Sequence, residues 1–144
     1  MTLPVNLERL PLSVTQPLLT LLDDELKRAE LDPTNPAALT TLTFNFRNPT
    51  YSPITGGVHP VEIRLICQAG CWLVDYVTDF SYQGQGQDAE LCKELDFNFL
   101  DNEHYLQGWG PLPMAEAQEL FTLWQHNFLA YAQLGFFTVT VSGD

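Results

Sequence analysis

The sequence predicts an α+β fold: an antiparallel meander of about five strands with two α-helices packed on one face. Three observations carry this. Two amphipathic helical segments bracket the chain. The stretch between them alternates apolar and polar residues, as strands do. Its centre, 59–82, folds on itself about a tight Ala69-Gly70 turn and keeps its ionisable side chains on one face. At 144 residues, one domain over 1–144 is the natural count, long enough to bury a core without disulfides or metal.

Residues 1–14 form an irregular arm that packs through Leu3, Val5, Leu7, Leu10 and Leu12. A first helix is expected over 15–30, with Thr15 as its cap and Pro17 tolerated in the first turn. Leu18, Leu22, Leu26 and Ala29 lie on one stripe, widened by Leu19 and Leu21. Asp32-Pro33 and Asn35-Pro36 end it. A strand follows over 40–47, with Leu42, Phe44 and Phe46 on one side and Thr43, Asn45 and Arg47 on the other. Pro49, Pro53 and Gly56-Gly57 mark 48–58 as a loop.

In the hairpin, a two-residue turn sets Gln68 opposite Cys71. Counting outward pairs Ile66 with Leu73, Arg64 with Asp75 and Glu62 with Val77 on a polar face. Cys67–Trp72, Leu65–Val74, Ile63–Tyr76, Val61–Thr78 and His59–Phe80 then fall on the core face. A slip of one residue would mix the two faces, so the pattern itself selects the register. Residues 83–87 read as a mobile loop and Asp88 as the cap of a short turn carrying Leu91 and Cys92. A further strand is expected over 95–99, then a turn-rich link over 101–113. The strongest helix spans 113–134, with Ala117, Leu120, Phe121, Trp124, Phe128 and Tyr131 on one apolar face and Gly135 as its stop. Phe137, Val139 and Val141 close the sheet. Both helices should cover the face carrying Leu65, Val74 and Tyr76.

Charge and cysteine usage narrow the function classes. Six Lys and Arg against 18 Asp and Glu give −12, and after Lys93 seven acids follow with no Lys or Arg. Such a surface repels phosphate backbones, so direct nucleic-acid binding is not expected. No segment has the pattern of a signal peptide or a membrane span. Three cysteines, an odd number, fit a reducing, cytoplasmic setting. Cys67 and Cys71 flank the turn on opposite faces, which argues against a shared disulfide or metal.

The words NFRNPTYS, GGVHPVEIRL, YVTDFSY, KELDFNF and LFTLWQHNF resemble an uncharacterised bacterial family, domain of unknown function 2787. The likeness runs from Phe44 to Val141. It implies a small bacterial domain and brings no activity, cofactor or catalytic residue with it.

The residues themselves offer two ligand-binding candidates. Glu62, Arg64, Asp75 and Asp79 share the polar sheet face by the hairpin register, and Arg47, Asn45 and Asp96 join them if the neighbouring strands pair. Arginines among carboxylates can grip a polar small molecule bidentately. The plain reading is a wet face laced by cross-strand ion pairs worth about 0.2–1 kcal/mol each. The second candidate is His59, at a strand start after a glycine pair, which suits a general base or a satisfied core-edge histidine. His59, His104 and His126 lack ligand spacing with one another or with a cysteine, so no metal site and no cofactor are expected. Nucleophile elbows and phosphate loops are absent, and a bare Gly84-Gln85-Gly86 is a connector.

Leu123 and Leu129 lie outside the apolar helix stripe, leaving room for cover by a second chain, a homodimer among the options. A non-enzymatic binding or interaction module for an unknown protein partner is therefore the leading reading. An enzyme or small-ligand receptor at the polar face is the alternative, and an acidic mimic of nucleic acid is the third.

Overall fold

The computed structural model describes residues 3–8, 10–34 and 39–144, so the expected Asn35-Pro36 stop lies outside the described residues. The elements run α1 (Gln16–Arg28), β1 (Thr41–Arg47), β2 (Val61–Gln68), β3 (Cys71–Gln83), β4 (Glu90–Asn98), β5 (Glu103–Leu106), β6 (Gly110–Pro113), α2 (Gln118–Gln133) and β7 (Thr138–Gly143). The seven strands form one antiparallel sheet in the order β6-β5-β4-β3-β2-β1-β7. The fold is α+β, with the helices on one face. Among the described residues, no helix is long and apolar enough to cross a membrane.

Two strands were hidden in the expected 101–113 link. Glycines and prolines there mark turns, but four-residue strands fit between them. The expected short turn at 88–92 is also mostly strand. A 3-10 turn over Gly86–Asp88 leads straight into β4.

The connection from β6 to β7 explains why α2 lies where it does. The chain leaves one edge of the sheet at β6 and joins β1 at the other edge, so α2 must cross the face. Its 16 residues span about 24 Å, close to the roughly 29 Å width of seven strands. Phe44, Phe46, Ile63, Leu65, Val77 and Phe97 from the sheet and Phe121, Trp124 and Phe128 from α2 form the core. Phe97 meets Phe121 edge-on at 4.8 Å, and Phe46 meets Phe128 edge-on at 5.0 Å, geometries that aromatic quadrupoles favour. Tyr131, expected in the core, sits 41% exposed at its rim.

Each helix end is closed by a specific device. The Thr15 side chain makes no cap bond. Instead Gln125 of α2, itself buried, accepts from the Thr15 N–H at 3.0 Å and donates to the Ser13 carbonyl at 3.0 Å. One amide thus satisfies backbone groups at the start of α1 and ties the helices together. Both C-termini form paired backbone closures. At α2, Gly135 (φ +80°) lets its N–H reach Ala132 O and the Phe136 N–H reach Tyr131 O. At α1, Glu30 takes the left-handed conformation (φ +58°), ending the helix before Asp32-Pro33. The arm packs through buried Leu3 and Leu12, and Asn6 N–H bonds Trp72 O at 2.9 Å.

The Ala69-Gly70 turn has positive φ at both residues (52° and 79°), and the pairs Gln68–Cys71, Cys67–Trp72, Ile66–Leu73 and Leu65–Val74 fall as expected. Beyond them the register corrects the sequence reading. Arg64 pairs with Tyr76 rather than Asp75, Ile63 with Val77, Glu62 with Thr78 and Val61 with Asp79. Asp75 is the extra residue of a β-bulge, and one unpaired residue flips the parity of everything after it. Tyr76 therefore joins the polar face and Val77 the core, the reverse of the expectation, and Asp79 turns towards α2. His59 precedes β2, and it is Pro60 whose carbonyl receives the Phe80 N–H, at 3.0 Å.

Substitutions on either side of the bulge test this register. Val77→Asn should cost about 1–3 kcal/mol for its unpaired amide alone. Tyr76→Asn, on the wet face, should cost no more than the lost bond to Glu62. Urea midpoints in which Tyr76→Asn is the more damaging change would refute the bulge.

Candidate functional site

The polar sheet face satisfies itself. Arg64 Nη1 donates to Asp75 Oδ2 at 2.5 Å, and the Tyr76 hydroxyl donates to Glu62 Oε2 at 2.6 Å. Burial, reinforced by the Glu62 carboxylate, pushes the Tyr76 hydroxyl well above its usual range. Thr78 donates to the buried Asp96 at 2.7 Å. Arg47, exposed at the end of β1, bonds Asn45 at 3.1 Å. The main cavities among the described residues lie elsewhere, and none is lined by Arg47, Glu62, Arg64 or Asp75.

The other candidates meet on the helix side. The bulge at Asp75 brings Asp79 into the core-facing row between Val61 and Leu95. A second bulge places Asp79 opposite Leu95 and Phe80 opposite Lys93, leaving Glu94 unpaired. Freed from alternation, Glu94 reaches the same point. His59 is set there by the Gly56-Gly57 turn before it and Pro60 after it, with the Tyr51 ring tilted against it at 5.4 Å. Tyr51 is fixed in turn by stacking on Tyr82 at 5.2 Å and by accepting the Tyr82 N–H at 3.1 Å.

The resulting geometry is tight. His59 Nδ1 lies 2.9 Å from Asp79 Oδ1, in hydrogen-bonding geometry, and 2.8 Å from Glu94 Oε2. One ring nitrogen carries at most one hydrogen, so it cannot serve both carboxylates. Glu94 Oε2 is buried and has no hydrogen-bond partner among the described residues, close as it is. The second Asp79 oxygen accepts from Trp124 Nε1 of α2 at 3.1 Å. The Asp79 hydrogen bond raises the His59 pKa against the opposing effect of burial, and the charges of Asp79 and Glu94 add to the rise.

A cavity of about 220 Å³ opens beside this cluster. His59, Asp79 and the exposed Asn127 are its polar lining, and Trp124, Phe128, Tyr131 and Phe137 wall it with aromatic rings. Trp124 and Phe128 stack at 4.9 Å, so the wall is a stiff one.

A family model described as a protein of unknown function, DUF2787, matches residues 16–142. The chain belongs to that family. Two solved structures share its fold and more than 30% of its sequence. The hypothetical protein VC0508 from the VSP-II pathogenicity island of Vibrio cholerae is 33% identical, with a TM-score of 0.82 over 96% of this chain and 100% of its own. The conserved hypothetical protein VC1805 from pathogenicity island VPI-2 of Vibrio cholerae O1 biovar eltor is 31% identical, with a TM-score of 0.78 over 94% of this chain and 98% of its own; that structure is described as sharing structural homology with the human P32 protein. No curated protein matches the chain.

The structure thus gathers His59 and Asp79 and separates them from Arg47, Glu62, Arg64 and Asp75. Sequence reasoning did not reach Glu94 or Trp124 as their neighbours. Trp124 sits within an apolar helix stripe, and Glu94 could only be placed once the β4 bulge was known.

The histidine supplies a measurable consequence. Its folded pKa lies above the unfolded value, so its stabilising effect is complete below the ordinary histidine range and is lost as the pH rises through the folded value. With divalent ions chelated, unfolding midpoints should therefore fall from about pH 6 to about pH 8. His59→Gln should flatten that slope, and an unchanged slope in His59→Gln would contradict the assignment.

Proposed function

We propose that this protein is a binding module that receives a small, electron-poor ligand in the pocket beneath α2. The observation that carries the reading is the meeting of a carboxylate, a histidine and an aromatic wall at one cavity of about 220 Å³, with a second carboxylate, Glu94, against that histidine. At roughly 30 Å³ per water molecule, that space suits a ligand of several heavy atoms rather than a large cofactor. Carboxylate oxygens and the negative faces of aromatic rings both favour positive charge or N–H donors. A net charge of −12 enriches cations around the whole chain.

Binding rather than turnover is favoured by how Asp79 is used. Both of its oxygens are engaged, one by His59 and one by Trp124, so it positions rather than reacts. The residues lining the pocket include no Ser, Thr, Cys or Lys to act as a nucleophile. We place the module in the cytoplasm, a reading supported by the three free thiols of Cys67, Cys71 and Cys92.

One observation favours a second reading. A carboxylate bonded to Nδ1 of a histidine leaves Nε2 free to accept a proton, the arrangement of a general base. An acid–base enzyme of that kind must show turnover that His59→Gln abolishes with the fold intact.

A thermal-shift screen of amines, nucleotides, metabolites and metal salts tests the leading reading. At least one compound should raise the melting temperature of the native chain. Asn127→Trp, which fills the mouth of the pocket, should cancel that rise for an organic ligand. Stabilisation by an organic compound that persists in Asn127→Trp would place the ligand elsewhere and overturn the proposal.

A further inference from the structure

We propose that His59 Nδ1, Asp79 Oδ1 and Glu94 Oε2 bind one six-coordinate divalent metal ion on the His59–Asp79 side of this pocket. The inference deepens the pocket reading, since the pocket supplies the open coordination positions, while the ion itself rests on the three donor atoms.

Donor spacing is the first argument. The nitrogen lies 2.9 Å from one carboxylate oxygen and 2.8 Å from the other. All three donor atoms lie within 4.8 Å of one another. In an octahedron with bonds of about 2.1 Å, adjacent ligands are about 3.0 Å apart. A tetrahedral zinc site with similar bonds separates its ligands by about 3.3 Å, wider than the spacing here. The distances from the nitrogen to the two oxygens therefore match edges of an octahedron, and the 4.8 Å limit on the third distance lets the two oxygens take any remaining pair of its corners.

The second argument is the unanswered oxygen. Two carboxylates converge on one ring nitrogen, and a single N–H can answer only Asp79. Glu94 Oε2 is left buried without a partner among the described residues. Leaving such a group unpaired is costly, and a cation held by both carboxylates and the imidazole removes that cost. Mixed imidazole and carboxylate donors suit a first-row divalent ion such as Mn²⁺ or Fe²⁺.

Support around the donors completes the case. Trp124 Nε1 holds the far oxygen of Asp79 and leaves Oδ1 turned to the metal, as outer-shell hydrogen bonds do in metal sites. The donors come from the segment that leads into β2, from β3 and from the bulge of β4, three neighbouring parts of the chain on one sheet. On the open side, the cavity has room for water or for a donor atom of an exogenous ligand.

Mn²⁺ is the probe, added to the full chain after chelation and followed by electron paramagnetic resonance. One Mn²⁺ per chain should bind saturably, and amide NMR signals of residues 59, 79 and 94 should broaden first. Glu94→Gln is chosen because Glu94 is 35% exposed and the change preserves shape. Glu94→Gln and His59→Ala should each weaken binding by about tenfold or more, with circular dichroism unchanged in Glu94→Gln. Co²⁺ in the same site should give the weak visible bands of six-coordination. Absence of saturable Mn²⁺ binding, binding that survives both substitutions, or intense four-coordinate Co²⁺ bands would overturn the proposal. An organic compound whose stabilisation is cancelled by Asn127→Trp, in a chain that binds no Mn²⁺, would overturn the metal and leave the pocket standing.

Discussion

Strand β3 carries one more residue than β2 can match between Arg64 and Leu65, and that residue, Asp75, decides which way the rest of the strand faces. Without it, Asp79 would stand in solvent beside Glu62, and Val77 would leave the core. With it, Val77 is 1% exposed and Asp79 points at α2. The bulge is held from two sides: the Asp75 carboxylate grips Arg64, and the Asp75 carbonyl accepts the Phe99 N–H at 2.8 Å. A local irregularity is therefore fixed by a charged pair on the wet face and by the chain leaving β4 on the other side.

The two sheet faces differ in how they handle charge. On the wet face Glu62, Arg64, Asp75 and Asp96 find partners across the strands, and Arg47 bonds Asn45 on its own strand, at distances that leave little for a ligand to do. Such pairs lock the register of half-exposed strands more than they add stability. On the helix face the same residue types are short of partners. Two carboxylates crowd one ring nitrogen, and the further N–H nearby, the Trp124 indole, serves only Asp79. The ordinary rule, that buried polar groups are answered, holds for Gln125, Thr78 and Asp96 and fails at Glu94 Oε2 and, away from this cluster, at His104 Nδ1.

Much of the architecture was legible because periodicity survives local error. The α2 stripe, the left-handed stop at Gly135 and the I′-type Ala69-Gly70 turn each follow from short-range chemistry. The α+β class follows from the same periodicity, and the family from the resemblance of short segments such as GGVHPVEIRL and LFTLWQHNF. The short strands β5 and β6 were not legible, because four residues between glycines and prolines carry no usable alternation. Nor was the face of Asp79. Counting by twos from the turn is sound only while pairing is unbroken, and nothing in Val74-Asp75-Tyr76 announces an extra residue. The same arithmetic that places Leu65 and Trp72 correctly misplaces Tyr76 and Val77 by one step.

That failure is informative in itself. The row Leu95, Asp79, Val61, Phe46 and Val139 crosses the core face of five strands, and four of its members are apolar. An aliphatic residue at 79 would fit the row and remove a carboxylate from the core edge. The chain instead builds two bulges that bring two acids and a histidine to one point beside an aromatic cavity. Local rules tend to break where something other than stability is being served, and a carboxylate in an oily row is such a break. The wet face, for all its charges, breaks no rule, and for that reason it is the weaker place to look for function.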